Sequence, residues 1–279
     1  MKRPKRPKNK TAEESAADPA EKPVGVESLT KHFPALEPDK LEWLAEEMSA
    51  VRLKRGDRIL VDSQSAADVF LVLKGAIAIT WQHDSRHQVL VTLLAPGETF
   101  GVSSLLPEIA QGLKGYAFAN SVVATIDSTR LVEILLGVEL VAFKSAMEMT
   151  VGWSSKTLMR YIRMFHLSPR DRLVIALIEI GAKFGVRDSR GLILNLPVTQ
   201  KDLADLLGSS RQSVNAHLAE LVRLGAVINL SRQIVLVPEK LFALIGGPVV
   251  HYHAPVGGKH FAGKPHDVPA LSRREQLHL

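Results

Sequence analysis

The chain has 279 residues, 46% of them hydrophobic, no cysteine and a formal net charge of +6. That length predicts two domains, each able to bury a core, and the lack of cysteine excludes disulfides, thiolate zinc sites, cysteine-ligated iron–sulfur clusters and a cysteine nucleophile. The charge is a weak pointer to nucleic acid, because Lys2, Arg3, Lys5, Arg6, Lys8 and Lys10 supply the whole excess and residues 11–279 are formally neutral.

Apolar runs such as LVIALIEIGA from Leu173 stop short of the ~18 to 20 residues that span a bilayer. The basic N-terminus lacks the apolar stretch of a secretory signal, so the expected location is the cytoplasm, with no membrane partner. Residues 1–25 carry too little apolar surface to fold and are expected to be a disordered basic tail. Such a run is usually just solvated; contact with DNA phosphates is its alternative role.

From Pro23 to Met48 the pattern predicts short helices with Leu29, Phe33, Leu36, Leu41 and Leu44 facing inward. The period then changes to two. VRLKRGDRILV, ADVFLVLKGAIAITW, HQVLVTLLAPGETFG and GYAFANSVVATID are alternating runs cut at Gly56-Asp57, Lys74-Gly75, His83 to Ser85 and Pro96-Gly97. Seven or eight short strands at this spacing predict a compact antiparallel barrel or roll.

After Asp127 the helical period returns, first in STRLVEILLG and then in a long helix ending before Ser168-Pro169. Met147, Val151, Ser154, Leu158, Tyr161 and Phe165 recur at steps of four and three, the seam of a two-stranded coiled coil, so this helix is expected to form a homodimer interface. An ordinary helix packed on its own roll is the alternative. Ser168 and Pro169 read as an N-cap and first helical residue opening SPRDRLVIALIEIGAKFG, and the proline makes the preceding junction a hinge.

In VTQKDLADLLGSSRQSVNAHLAELVRLGAV, Thr199 and Asp202 form a helix start, Leu203, Leu206 and Leu207 face inward, and Gly208 ends the helix. A second helix opens at Ser209-Ser210 and buries Val214, Leu218 and Leu221, which leaves Arg211, Gln212, Asn215 and Ala216 pointing outward. Arginine, glutamine and asparagine pair with guanine and adenine edges in the major groove. AVINLSRQIVLV follows as a hairpin turning at Ser231 to Gln233, so helix, turn, helix and wing describe a DNA-reading unit. The expected DNA contacts are Thr199, Lys201, Ser210, Arg211, Gln212, Ser213 and Asn215, with Thr199, Lys201 and Ser210 on phosphates.

This order of parts, with GSSRQSVNAHLAEL, LVLKGAIAI and LLAPGETFG, resembles the CRP/FNR family of bacterial transcription regulators over about Val26 to Leu244. The resemblance implies an α+β fold: a cyclic-nucleotide-binding-like β-roll sensor (26–137), a dimerisation helix (138–167) and a winged helix-turn-helix (168–245), followed by a disordered tail (246–279). It also implies a homodimer that reads an inverted-repeat operator in double-stranded DNA, with RNA polymerase as a further partner and a small-molecule effector in the roll.

The effector is where the chain departs from the family. Cyclic-AMP binders hold the ribose and phosphate with Gly-Glu and Arg-Ser pairs, but Val102 stands at the glutamate position and Gln111-Gly112 at the Arg-Ser position. A phosphate without its arginine would be desolvated unopposed, so cyclic AMP is not the expected effector. FGVSSLL is similar to the FGV-x-SLL of 2-oxoglutarate-sensing nitrogen regulators of cyanobacteria, yet Gly112 and about Trp153 replace the arginines those proteins use. The matching effector residues are Gly101, Val102, Ser103 and Ser104, with Lys114 the nearby cation, so a weakly anionic ligand or none is expected.

No cofactor or metal is expected. His83 and His87 lie in a charged turn, where solvation is a commoner fate than haem ligation, and His251-Tyr-His253 sits in the Gly-, Pro- and His-rich tail. A cupin-type metal enzyme would need inward histidines on the strands, which offer apolar residues instead. With no Ser-His-Asp, P-loop or dinucleotide pattern, the chain is not expected to be an enzyme. The other alternative, a nonspecific architectural DNA binder, would rely on phosphate charge alone and leave the reading face unused.

Overall fold

The computed structural model describes residues 22–33, 36–59, 68–82, 88–101, 113–137, 140, 143–144, 155, 158, 161–162, 165–230 and 233–245. Its first part opens with β1 (Lys22–Pro23), α1 (Val26–Thr30) and α2 (Pro38–Glu47). There follow β2 (Ser49–Leu53), β3 (Asp68–Lys74), β4 (Ile77–Gln82), β5 (Gln88–Leu94), β6 (Thr99–Phe100), β7 (Leu113–Ala117) and β8 (Ser121–Asp127). They form two antiparallel sheets, in the orders β1-β2-β8-β3-β6 and β5-β4-β7.

Alternation along the strands sorts the side chains into layers. In β3, Phe70 and Val72 join Leu53, Ile77, Ile79, Leu94, Phe100 and Val123 between the sheets, and Phe70 stacks on Phe100 at 4.7 Å between ring centroids. The intervening Val69 and Leu71 face the other way, against Leu29, Leu41, Leu44 and Ile134. The last of these belongs to α3 (Ser128–Leu136), whose N-cap Asp127 accepts from the backbone N–H groups of Thr129 and Arg130. The three helices thus cover the outer face of the larger sheet, and the inward set of leucines is as the sequence predicts.

The outer face of the smaller sheet is covered by the second part of the chain. A bulge at Val91, between the pairs Ile79↔Thr92 and Thr80↔Leu90, lets Leu90 and Leu93 face the same side although they are three residues apart. Together with Ala78 and Phe118 they share one apolar core with Leu173, Leu177, Leu203, Leu207 and Leu218.

This second part comprises α4 (Pro169–Phe184), β9 (Gly185–Asp188), β10 (Gly191–Leu194), α5 (Gln200–Leu207), α6 (Arg211–Arg223), β11 (Val227–Leu230), β12 (Gln233–Leu236) and α7 (Pro238–Leu244). Ser168 caps α4 by accepting from the Asp171 N–H at 3.1 Å, with Pro169 in the first turn, as the sequence predicts. The hairpin read at the end of this stretch is half of a larger object. Its strands belong to a four-stranded antiparallel sheet of order β11-β12-β10-β9, and the β9–β10 hairpin had no counterpart in the sequence reading.

Of the predicted coiled-coil seam, Met147, Val151 and Ser154 lie outside the described residues, as do Val102, Ser103 and Ser104 of the effector stretch. Leu158, Tyr161 and Phe165 are helical. Leu158 and Phe165 are 60% and 80% exposed, whereas the Tyr161 ring packs against the shared core with its hydroxyl 3.4 Å from the Val91 carbonyl oxygen.

Candidate nucleic-acid interface

The bent helix pair is set by its caps. The Thr199 hydroxyl accepts from the Asp202 N–H at 3.2 Å, while the Asp202 carboxylate accepts from the Thr199 N–H at 2.8 Å, a reciprocal capping box. Gly208 then takes the left-handed conformation, φ 57° and ψ 38°, which closes α5 without the cost a β-carbon would bring. Two residues later Ser210 caps α6 by accepting from the Ser213 N–H at 3.1 Å. The turn between the helices is therefore short and fixed at both ends.

With the turn fixed, burial decides the faces. Leu203, Leu206 and Leu207 of α5 and Val214, Leu218 and Leu221 of α6 are buried in the shared core. Arg211, Gln212, Asn215 and Ala216 are exposed, so the first turns of α6 present guanidinium and amide groups to solvent, and Ser213 is half-buried. Asn215 does not stand alone. Its Oδ1 accepts from Gln200 Nε2 at 2.9 Å, a contact from the first residue of α5 that the sequence reading did not contain.

Residues expected on phosphates are held in other contacts. The hydroxyls of Thr199 and Ser210 serve the caps, and Lys201 is paired with Asp205 one turn along α5. Lys201, Asp202 and Asp205 also line a cleft of about 280 Å³ whose other wall is the roll: Arg58, Thr80, Leu90, Lys114 and Tyr116. Burial, followed by the nearby Asp202 and Asp205 carboxylates, raises the Tyr116 hydroxyl pKa above its ordinary value. Lys114 thus faces the helix pair across this cleft, not the interior of the roll. Gly101, at φ 94°, sits where a β-carbon would collide with the Asp68 carbonyl, so this start of the effector stretch packs tightly on β3.

Among the described residues no cluster of three or more His, Asp or Glu could hold a metal ion, and no helix is long and apolar enough to cross a membrane. His83 and His87, and the tail histidines His251 and His253, lie outside the described residues.

The geometry is that of a known domain pair. Residues 171–244 match the family model for a Crp-like helix-turn-helix domain, and residues 50–136 match that for a cyclic nucleotide-binding domain. A global nitrogen regulator from Nostoc sp. is 30% identical over 178 residues, spanning 60% of this chain and 76% of that protein. The chain belongs to the CRP/FNR family of transcription regulators.

Other members of the CRP/FNR family agree. A global nitrogen regulator from Synechococcus elongatus is 28% identical over 61% of this chain and 77% of its own length. A CRP-like cAMP-activated global transcriptional regulator from Mycobacterium tuberculosis is 19% identical over 69% of this chain and 86% of its own. The fold is shared with FixK2 from Bradyrhizobium japonicum, at a TM-score of 0.59 and 20% identity, over 71% of this chain and 96% of that one. The antiparallel β-roll, the helices and the C-terminal helix-turn-helix of the α+β reading are thus those of CRP/FNR regulators, and the protein is a transcription regulator with a DNA-binding domain.

Proposed function

We propose that the protein is a cytoplasmic homodimer that reads an inverted-repeat operator in double-stranded DNA and engages RNA polymerase there. Residues 26–137 form its sensor, 138–167 its dimerisation helix and 168–245 its DNA-reading domain. The observation that carries this reading is the exposed, hydrogen-bonding first half of α6, with Arg211, Gln212 and Asn215 outward while the apolar face is buried. A second helix so disposed enters the major groove by its N-terminal residues, and two copies related by a dyad read half-sites about one helical turn, roughly 34 Å, apart.

Arg211 is assigned to a guanine O6 and N7, and Gln212 to an adenine or neighbouring base. Thr199, Lys201 and Ser210 set the register on phosphates. Ala216 carries no group for base readout, so one base pair is left unspecified there. The exposed apolar side chains of Leu158 and Phe165 support the dimer. In the sensor, Gly101, Val102, Ser103 and Ser104 would meet the effector, and the missing Gly-Glu and Arg-Ser pairs argue against cyclic AMP.

Selection of bound fragments from random duplex DNA by the full chain, with and without a small-metabolite extract, tests this directly. An inverted repeat should be enriched; recovery of unrelated sequences that track only salt would instead make the protein an architectural binder. Cyclic AMP should change operator affinity by less than about tenfold, a coupling of ~1.4 kcal/mol. Stoichiometric micromolar binding of cyclic AMP in calorimetry would overturn that part.

A further inference from the structure

Gln200 and Asn215 meet across the bend of the helix pair, with Gln200 Nε2 donating to Asn215 Oδ1 at 2.9 Å. Both backbones are held close to this contact, because Gln200 directly follows the capping box at Thr199 and Asn215 lies in the second turn after the cap at Ser210. A free asparagine amide offers one acceptor and two donor hydrogens, and in that form pairs with both N6 and N7 of adenine. The two groups diverge from one carbon. When Oδ1 points back to Gln200, Nδ2 points away from it, and its two N–H bonds are what the exposed side chain presents.

We propose that Gln200 is a positioning residue that sets base specificity through Asn215: it holds the amide with its donors outward, so that Asn215 selects a base rich in major-groove acceptors, guanine above all, over adenine. Guanine presents N7 and O6 acceptors there, whereas adenine pairs fully only with an amide whose oxygen is also turned toward the base edge. This inference rests on the base-reading role proposed above for α6.

The test is binding-site selection from random duplex DNA by the full chain as wild type, Asn215→Ala, Gln200→Ala and Gln200→Glu, with thermal melts to verify folding. Positions whose preference flattens in Asn215→Ala are those that Asn215 reads. At those positions the wild type should enrich guanine over adenine by about tenfold, the worth of one base-edge hydrogen bond, and Gln200→Ala should bring adenine up to or above guanine. Gln200→Glu should go further. Its carboxylate accepts only, so the asparagine turns its nitrogen inward and its oxygen outward, and preference moves to bases with a donor, cytosine or adenine.

A wild type that enriches adenine at these positions overturns the proposal. So do folded Gln200 variants whose affinity falls evenly with base preference unchanged, because a merely structural contact behaves that way. If the wild type enriches no sequence at all, the base-reading role itself falls and this inference falls with it, an outcome readily told from the other two.

Discussion

The Lys183 ammonium at the C-terminal end of α4 lies 2.9 Å from the Glu98 carboxylate and 2.9 Å from the Leu93 carbonyl oxygen, and so joins the helix-turn-helix unit to the roll. Both side chains are largely buried, at 18% and 16% exposed, and Glu98 also accepts from the Ala95 N–H in the turn that leads to Phe100 and Gly101. Breaking one side of such a pair leaves the other charge poorly solvated. Lys183→Met should therefore cost about 2 to 3 kcal/mol in denaturant unfolding, somewhat below the ~3 to 5 typical of fully buried pairs. A cycle with Glu98→Gln should show a coupling of ~1 kcal/mol or more. Additive effects would mean that the two residues act independently.

Assembly is tested at Leu158. If the exposed face of Leu158 and Phe165 is a coiled-coil seam, Leu158→Glu places like charges across a dry interface. The variant should sediment as a monomer and lose operator binding. A variant that still sediments as a dimer would show that the contact between copies lies elsewhere.

Readout and positioning separate at Arg211 and Lys201. Arg211→Ala should flatten preference at one symmetric pair of positions, at a cost of about 1 to 3 kcal/mol. Lys201→Ala should weaken all sequences alike and reduce the salt slope by about one. Because Lys201 is paired with Asp205 in the free protein, its phosphate contact must replace that pair, so the uniform loss should be modest. Site selection with the reverse pattern would overturn the assignment of the reading face.

Asp68 provides a test by pH. It lies directly opposite Asp127 across β3 and β8, and burial, followed by that neighbouring charge, raises its pKa above 3.8. A carboxyl whose folded pKa exceeds its unfolded one binds protons more readily in the native state, so its ionisation destabilises the fold. The penalty is absent below about 3.8, grows as pH rises through the raised native value, and is full at neutral pH. Asp68→Asn should be the more stable form at pH 7, and the advantage should vanish near pH 3 to 4. Chemical denaturation at the two pH values measures this, and a constant difference would refute it.

Much of the fold was legible because its signals are local. The capping box at Thr199 and Asp202, the left-handed Gly208 and the cap at Ser168 depend on residues within four positions of one another, and each forms as its residues require. The buried Val214, Leu218 and Leu221 follow from the helical period in the same way. The β9–β10 hairpin escaped because β9 is a sheet edge with Val186 and Arg187 both exposed, which erases the alternation that marks a half-buried strand.

The amino-acid sequence by itself thus determined the kind of protein: the period of each element, its caps, and which face of α6 is left exposed. Only the tertiary structure decided what meets that face and what holds the reading unit in place. Gln200 reaches Asn215 across 15 positions and Lys183 reaches Glu98 across 85, and the bulge that aligns Leu90 with Leu93 shows itself only in strand pairing. Periodicity reports whether a side chain faces a core. It carries no record of which distant side chain will face it, because that depends on how whole elements pack once their own hydrogen bonds are made.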